Sequence, residues 1–180
     1  MISVIVNYAN FIKADLPDDD ANQDDLAEIE ASDGLCVPGQ GIFGRCMTNL
    51  GAAGLDQTIG SWLERERPYL GICLGMQVLF DTSEEHGPVS GLGLLPGEVV
   101  KIGPGVRVPH IGWNEVGGEY YYFDHSYAVE PADPAIVSGW CEHGQRFAAS
   151  ISTGPILGVQ FHPEKSAAAG LALLEGWVRA

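Results

Sequence analysis

The chain of 180 residues is poor in basic side chains, with 9 Lys and Arg against 24 Asp and Glu. The formal net charge of −15 argues against nucleic acid or an anionic membrane as a partner, because phosphate groups are held by clusters of Lys and Arg. No apolar run approaches the ~20 residues that a membrane-spanning helix needs. The acidic segment behind the first strand also argues against a secretory signal. We therefore expect a cytoplasmic protein with neither nucleic acid nor membrane as a partner.

Cysteine is scarce, and its spacing argues against two common uses of the residue. The four cysteines are Cys36, Cys46, Cys73 and Cys141. No two of them form a CxxC pair or another spacing typical of a zinc site, and no disulfide framework is indicated. We therefore expect reduced thiols, no metal site and no cofactor, with Cys36 as a small core residue in an apolar strand.

The chain has no internal repeat and no low-complexity linker, and its composition is that of a globular protein. Hydrophobic residues make up 46% and charged residues 18%, so at this length we expect one domain over residues 1–180. The pattern of elements predicts an α/β domain with a mostly parallel central sheet flanked by helices and a strand-rich second half. Its N-terminal βαβ unit, about residues 1–33, contains an acidic tract and is shortened.

Apolar periodicity predicts the individual elements. β-branched and apolar runs predict strands over 2–6, 35–37, 69–72, 98–101, 119–124, 146–150 and 156–161. Apolar residues at helical spacing predict helices over 45–50, 57–66, 74–80 and 171–178. Glycine and proline predict loops at 87–88 and over 91–97.

The most informative motif is a cysteine between two glycines, in the run Gly71-Ile72-Cys73-Leu74-Gly75. It lies where an apolar strand should pass into a helix, which is the pattern of a nucleophile elbow. Such a turn strains the backbone of the nucleophile and lifts its side chain clear of the sheet, while the glycines let strand and helix approach closely. The N-terminus of the following helix favours the thiolate form of Cys73.

A nucleophilic cysteine needs a base to take its proton and a group to orient that base. The predicted strand 156–161 ends in His162-Pro163-Glu164. Because Pro163 interrupts strand pairing, His162 and Glu164 should leave the sheet at its carboxyl edge, where the elbow also emerges. We therefore predict a triad in which His162 exchanges a proton with Cys73 and Glu164 orients the imidazole.

Acyl transfer at a thiol also needs backbone N–H groups that stabilise the oxyanion. The N–H of Leu74, the residue after the nucleophile, is one candidate. The turn Pro38-Gly39-Gln40-Gly41 follows a strand at the same sheet edge and offers a second, since glycines let the backbone approach the site. We predict that the oxyanion hole is formed by Leu74 together with Gly39, Gln40 and Gly41.

Taken in chain order, three segments resemble class I (triad) glutamine amidotransferases. They are Pro38-Gly-Gln-Gly, Gly71-Ile-Cys-Leu-Gly-Met-Gln and Gly158-Val-Gln-Phe-His-Pro-Glu-Lys. Within that class, three more segments look like the glutaminase subunit of imidazole glycerol phosphate synthase. These are Gly91-Leu-Gly-Leu-Leu-Pro-Gly, Val108-Pro-His-Ile-Gly-Trp-Asn and Tyr121-Tyr-Phe-Asp-His-Ser-Tyr. The resemblance runs from about Ser32 to the C-terminus.

The resemblance implies that Cys73 attacks the carboxamide of L-glutamine, that ammonia leaves, and that water hydrolyses the thioester to glutamate. It implies a heterodimer in which the ammonia passes to a (β/α)8-barrel synthase partner. That partner forms imidazole glycerol phosphate and aminoimidazole carboxamide ribotide, in histidine biosynthesis. By match of positions, the glutamine-binding residues are Gln77, Glu85, His125, Ser126 and Tyr127. The matching partner-interface residues are His110, Trp113, Asn114, Tyr122 and Lys165.

Two segments of the chain depart from the family pattern. Where the family has Asp-Tyr-Gly-x-Gly-Asn-Leu-Arg-Ser, in a region that faces the synthase, this chain reads Asn7-Tyr-Ala-Asn-Phe-Ile-Lys. Gln40 stands in the oxyanion turn, where a small apolar residue is usual. Two alternatives therefore stay open: a paralogous amidotransferase that feeds another synthase, in amino-sugar or polysaccharide synthesis, and a degenerate domain that binds a partner without catalysis.

Overall fold

The computed structural model describes residues 2–4 and 26–180 of the chain. The predicted continuation of the first strand to residue 6, most of the acidic tract and the divergent segment from Asn7 lie outside the described residues. A helical stretch over 26–31 precedes the second strand. The shortened βαβ unit and the single domain over 1–180 stay predictions.

Strands make up most of the regular structure in the described part of the chain. They are β1 (Ile2–Val4), β2 (Gly34–Gly39), β3 (Tyr69–Cys73), β4 (Phe80–Ser83), β5 (Val89–Ser90), β6 (Leu95–Lys101), β7 (His110–Val116), β8 (Glu119–His125), β9 (Tyr127–Pro131), β10 (Val137–Glu142), β11 (Arg146–Thr153) and β12 (Ile156–Val159). Seven of these strands follow residue 94, so the predicted strand-rich second half is confirmed.

A six-stranded central sheet has the order β1-β2-β3-β12-β11-β10. The first four of these strands run parallel, and β11 and β10 add antiparallel neighbours at one edge. The predicted mostly parallel sheet is therefore confirmed. Gly39 at the end of β2 pairs with Cys73 at the end of β3, so both strands finish side by side at the carboxyl edge.

The remaining strands form two smaller units beside the central sheet. One is a four-stranded sheet in the order β5-β4-β6-β9, and the other is the antiparallel hairpin β7-β8. Gly117 and Gly118 make the turn of this hairpin with φ of 63° and 91°, which only glycine adopts at no steric cost.

Four labelled helices complete the described structure: α1 (Phe43–Ala52), α2 (Leu55–Glu64), α3 (Leu74–Gln77) and α4 (Ala167–Arg179). Short 3-10 turns cover Pro134–Ile136 and Pro163–Lys165. One face of α4 packs on the core through Leu173, Leu174 and Trp177, while Leu171 and Val178 point to solvent. In the part of the chain that the structure describes, no helix is both long and apolar enough to cross a membrane.

Apolar side chains cover both faces of the central sheet, as its strand alternation requires. On β2, Leu35 and Val37 belong to one buried cluster, and Cys36 between them belongs to the other. The first cluster includes the buried residues of α1 and α2, with Trp62 and Phe43 fully enclosed. The parallel strands are therefore fixed from both sides, which holds their carboxyl ends in place.

Two predictions about local structure are wrong. The predicted helix over 74–80 ends at Gln77, and β4 begins at Phe80. The chain leaves the helix because its next carbonyls accept bonds from a distant segment: Leu92 N–H donates to Val78 at 2.8 Å, and Leu94 N–H donates to Leu79 at 2.9 Å. The loop predicted over 91–97 is likewise wrong in its last three residues, which open β6.

Candidate active site

Cys73 lies at the turn between β3 and α3, as the elbow pattern predicts. It is the last residue of the strand, and Leu74 is the first of the helix. Its backbone has φ 53° and ψ −108°, a positive φ that few residues other than glycine adopt. Strain of this kind persists only where the surrounding structure imposes it, and it is concentrated at functional sites.

Close contacts on both sides of the elbow impose this conformation. A Cβ on Gly71 would lie 2.6 Å from the carbonyl oxygen of Gly75, and a Cβ on Gly75 would overlap the carbonyl oxygen of Val37. The buried hydroxyl of Tyr69 donates a hydrogen bond of 2.7 Å to the same Gly75 carbonyl. The two glycines therefore allow α3 to lie directly on β2 and β3, and Tyr69 fastens it there.

His162 and Glu164 leave the sheet just beyond the end of β12, where Pro163 begins a 3-10 turn. Nδ1 of His162 lies 2.7 Å from Oε1 of Glu164; the imidazole is 3% exposed and the carboxylate 45%. Burial acts to lower the pKa of His162, but hydrogen bonding and charge interaction with Cys73 and Glu164 outweigh it and raise the pKa to about 9. Burial also acts to raise the pKa of Glu164, but the hydrogen bond with His162 outweighs it and lowers that pKa.

Hydrogen bonds to Tyr122 and Ser166 hold the main chain of His162. Its N–H donates to the Tyr122 carbonyl at 2.8 Å, and its carbonyl accepts from the Ser166 hydroxyl at 2.6 Å. The Ser166 oxygen in turn accepts from the Tyr122 N–H at 2.9 Å. The hairpin β7-β8 therefore braces the base through Tyr122.

A cavity of about 250 Å³ opens on the nucleophile and the base. All five predicted glutamine-binding residues line it, and so do Leu74, Gln40 and Gly41 of the predicted oxyanion hole. Gly39 lies beside Cys73 through the strand register. The other lining residues are Cys73, His162, Pro109 and Asp124. The structure thus brings these residues together, and their individual roles stay predictions.

The carboxamide of Gln77 and the carboxylate of Glu85 line this cavity, and the buried carboxamide of Gln160 bonds to two of its lining residues. Nε2 of Gln77 donates to the Tyr127 carbonyl at 3.1 Å and to Oε1 of Gln160 at 2.9 Å. Nε2 of Gln160 donates to Sγ of Cys73 at 3.4 Å. Glu85 accepts a 2.7 Å hydrogen bond from the N–H of Phe43, the first residue of α1. Its carboxylate therefore caps α1 as well as lining the cavity.

Gln160 is a site residue that the sequence reasoning missed. It is fully buried just beyond the end of β12, two residues before His162. A polar side chain inside the apolar run Gly158-Val159-Gln160-Phe161 is the signal that points to it, because a buried amide needs specific partners.

Two buried histidines beside the cavity are linked by hydrogen bonds, and burial keeps both neutral. His125 Nδ1 lies 2.8 Å from the Tyr127 carbonyl and therefore donates to it, and His125 Nε2 accepts from His110 Nδ1 at 3.0 Å. Nε2 of His110 faces the Asn114 amide at 3.3 Å. Burial lowers the pKa of His125 to about 3 and that of His110 to about 4, and neighbouring histidines add to the lowering.

The five predicted interface residues differ in their exposure. Trp113 is 53% exposed, and its ring meets the ring of Tyr122 edge to face across the hairpin. Nζ of Lys165 lies 5.7 Å from the centre of the Tyr122 ring. Asn114 is half-buried, and His110 is only 4% exposed. The structure therefore places Trp113, Tyr122 and Lys165 on one surface, whereas His110 faces the interior.

The three other cysteines lie in the core as free thiols. Burial raises the pKa of Cys36, Cys46 and Cys141 to about 12 in each case. Cys73 alone among the four lines the cavity. The predicted core role of Cys36 is confirmed by its place in the sheet.

Comparisons with known proteins agree with this geometry. The model of the family "Glutamine amidotransferase class-I" matches residues 8–176. The imidazole glycerol phosphate synthase subunit HisH of Moorella thermoacetica is 47% identical over 167 residues, which cover 86% of this chain and 80% of the relative. The chain belongs to the class-I glutamine amidotransferases, in the HisH family. HisH of Symbiobacterium thermophilum is 42% identical over 172 residues, which cover 88% of this chain and 81% of the relative.

One relative of the HisH family is much longer than this chain. The chloroplastic imidazole glycerol phosphate synthase hisHF of Arabidopsis thaliana is 44% identical over 163 residues, which make up 82% of this chain and 28% of the relative. The predicted class and enzyme activity, and the predicted function as a glutaminase subunit in histidine biosynthesis, are confirmed by membership of this family.

Two solved structures share the fold of this amidotransferase. A crystal structure titled glutamine amidotransferase aligns with a TM-score of 0.67 at 19% identity, covering 86% of this chain and 82% of its own. A glutamine amidotransferase from Thermotoga maritima aligns with a TM-score of 0.53 at 18% identity, covering 84% of this chain and 64% of its own. The predicted α/β fold class is therefore confirmed.

Proposed function

We propose that Cys73, His162 and Glu164 hydrolyse L-glutamine to glutamate and ammonia, and that the ammonia passes directly to a (β/α)8-barrel synthase subunit. The observation that carries the proposal is the cavity shared by a strained elbow cysteine and a histidine whose other ring nitrogen is held by a carboxylate. This arrangement is that of a thiol acyl-transfer site.

The chemistry follows from the protonation of the pair. Because Glu164 accepts from Nδ1 of His162, the other ring nitrogen is available to the thiol. The Cys73 thiolate attacks the carboxamide carbon of glutamine, and the imidazolium of His162 protonates the nitrogen that leaves as ammonia. His162, now neutral, takes a proton from water, which attacks the thioester and releases glutamate.

The amino acid part of glutamine would meet two acceptors among the residues that line the cavity. Both N–H groups of the Gln77 carboxamide donate within the protein, so its Oε1 is the atom left for a ligand. Glu85 uses one carboxylate oxygen for the cap of α1 and has a second for the cavity. Two acceptors of this kind suit the ammonium group of glutamine.

Backbone N–H groups at the ends of two strands would stabilise the oxyanion formed by the attack. We assign it to the N–H of Leu74 and to the turn Gly39-Gln40-Gly41. The pairing of Gly39 with Cys73 supports this assignment, since it puts the turn next to the nucleophile.

The synthase subunit would dock on the outward face of the β7-β8 hairpin, in a heterodimer. The exposed ring of Trp113 and the pair formed by Tyr122 and Lys165 support this choice, because aromatic anchors dominate protein interfaces. His162 is also hydrogen-bonded to this hairpin, through the main chain of Tyr122. A partner bound here would lie close to the cavity and shield ammonia from solvent, since Asp124 and His125 at the end of β8 line that cavity.

The proposal includes a cytoplasmic location. A thiol nucleophile has to stay reduced, and the cytosol keeps thiols reduced. The four free cysteines suit such a compartment.

Glutamine hydrolysis tests the proposal. The purified chain is assayed alone, and then with a (β/α)8-barrel synthase subunit and its ribonucleotide ligand. We expect weak activity alone and strong stimulation in the complex, with no activity for Cys73→Ala in either. Residual hydrolysis by Cys73→Ala contradicts the mechanism. Activity without stimulation contradicts the assigned partner and favours the paralogue, and no activity under any condition favours the non-catalytic domain.

A further inference from the structure

Gln160 is fully buried just beyond the end of β12, and its side chain bonds to two residues of the active-site cavity. Nε2 donates to Sγ of Cys73 at 3.4 Å, and Oε1 accepts from Nε2 of Gln77 at 2.9 Å. Its backbone N–H donates to the Ala149 carbonyl on the neighbouring strand at 2.8 Å. The amide is therefore fixed at both ends and through its main chain.

One backbone carbonyl decides which way both carboxamides point. The carbonyl of Tyr127 can only accept, so the nitrogen of Gln77 must face it. The same nitrogen then donates its second hydrogen to Gln160, which must present its oxygen there. As a result, the nitrogen of Gln160 faces the sulfur of Cys73, and the contact is a donor to the nucleophile.

We propose that Gln160 is a positioning residue that holds the Cys73 thiolate by a hydrogen bond from its buried carboxamide. The inference rests on the proposed glutaminase function and adds a residue to its site. A hydrogen bond to an ionised group is stronger than one to a neutral group, so this donor favours the thiolate over the thiol. It also fixes the direction of the sulfur at the cavity.

The alternative of a packing role does not explain the residue type. Val159 and Phe161 on either side are buried and apolar, and a methionine would fill a similar volume. A buried amide costs free energy unless its groups are bonded. Here both side-chain partners, Cys73 and Gln77, belong to the cavity, so the amide serves the site.

Alkylation of Cys73 by iodoacetamide, followed against pH in the absence of glutamine and partner, tests the proposal. Gln160→Met removes the donor at similar volume, and Gln160→Glu keeps the acceptor for Gln77 but turns an oxygen to the sulfur. We expect both to move the midpoint of the alkylation profile to higher pH, by about one unit. Gln57→Glu, on the exposed surface of α2, controls for the change in net charge, and Cys73→Ala gives the background from the core thiols.

Steady-state kinetics of the complex give the second readout. We expect kcat for glutamine hydrolysis to fall about 10- to 100-fold in both variants, with KM changed less than about threefold. Unchanged alkylation and kcat in folded Gln160→Met overturns the proposal, as does a rise in KM alone. If Gln160→Met does not fold, Gln77→Met removes the donor that orients Gln160, and the alkylation shift is sought there. A shifted profile in a chain that hydrolyses no glutamine overturns the proposed function and leaves this inference standing.

Discussion

Gly75 packs against Val37 so closely that a side chain on the glycine would overlap the Val37 carbonyl oxygen. The contact joins α3 to β2, which places the elbow helix over the strand whose end lies beside Cys73. Since the obstacle is backbone, it has no rotamer change by which to give way.

Gly75→Ala is therefore expected to destabilise the protein by about 3 kcal/mol and to abolish glutamine hydrolysis, because the elbow must move. Urea unfolding and the glutaminase assay measure the two effects. Gly60→Ala in α2 is the matched control, since among the described residues no atom outside the local helix backbone lies within 4 Å of the added Cβ. That change should stabilise the helix by about 0.5–1 kcal/mol. Equal effects at both glycines would contradict the close-approach argument.

Glu164→Gln is expected to lower glutamine hydrolysis by about 10- to 100-fold, because the amide no longer stabilises the imidazolium of His162. The loss should be smaller than at a fully buried orienting carboxylate, since Glu164 is 45% exposed and water can replace it. The pKa of His162 should fall, as an imidazole titration followed by NMR would show. Glu130→Gln, at an exposed position of β9, should leave both quantities unchanged.

The triad should stabilise the fold over a defined pH range. The pKa of His162 is raised to about 9, so its contribution is fully present below about pH 6.5, the ordinary value, and is lost as the pH rises through about 9. The pKa of Glu164 is lowered, so its contribution is present above the ordinary carboxyl value and is lost as the pH falls through the lowered one. We expect the difference in unfolding free energy between the native chain and His162→Gln to be largest between about pH 5 and 7. A difference that grows towards pH 10 would contradict this assignment.

Acid should destabilise the protein through the pair His110 and His125. Their pKa values lie at about 4 and about 3, so unfolding lets both bind protons between those values and the ordinary value of about 6.5. The free energy of unfolding should therefore fall as the pH drops from 7 to 5, with a slope of up to about 1.4 kcal/mol per pH unit for each residue. His110→Phe should reduce this slope, and His86→Asn at an exposed turn should not. An unchanged slope in His110→Phe would show that other groups take up the protons.

Trp113→Ala is expected to leave the stability of the isolated chain within about 0.5 kcal/mol, because the side chain is 53% exposed. Affinity for the synthase subunit should fall at least about 30-fold, as for a central aromatic anchor. Isothermal titration of the two subunits measures this. Leu171→Ala, at a similarly exposed position of α4 outside the hairpin, is the control. Equal losses of affinity in both variants would contradict the assignment of the hairpin to the interface.

The parts of the site that depend on local sequence could be predicted, and those that depend on distant contacts could not. Cys73 between two glycines predicts its own turn, because the glycines that let strand and helix approach are its near neighbours in sequence, although the contact of Gly75 with Val37 comes from the fold. β4 begins at Phe80 only because the segment near Leu92 and Leu94 bonds to the chain there, which no local pattern reveals. Gln160 reaches Cys73 across 87 positions of sequence, so its role needs the fold.

For a related reason, the sequence predicts only the second strand of the β7-β8 hairpin. The alternation over 119–124 is a strand signal, but its partner carries Gly112 and polar residues and resembles a loop. The pair Gly117 and Gly118 is a recognised turn signal that joins the two. Once the pairing is known, Trp113 lies opposite Tyr122 in the hairpin, and the two residues can be assigned to one surface.

Tyr122 bears on how the surface of this enzyme can change over evolution. Its ring lies on the outward face, yet the hydrogen bonds that brace His162 come from its main-chain N–H and carbonyl groups. Any residue except proline supplies both of those groups. The proposed docking face can therefore vary in sequence to suit a co-evolving subunit while His162, the proposed base, keeps its support.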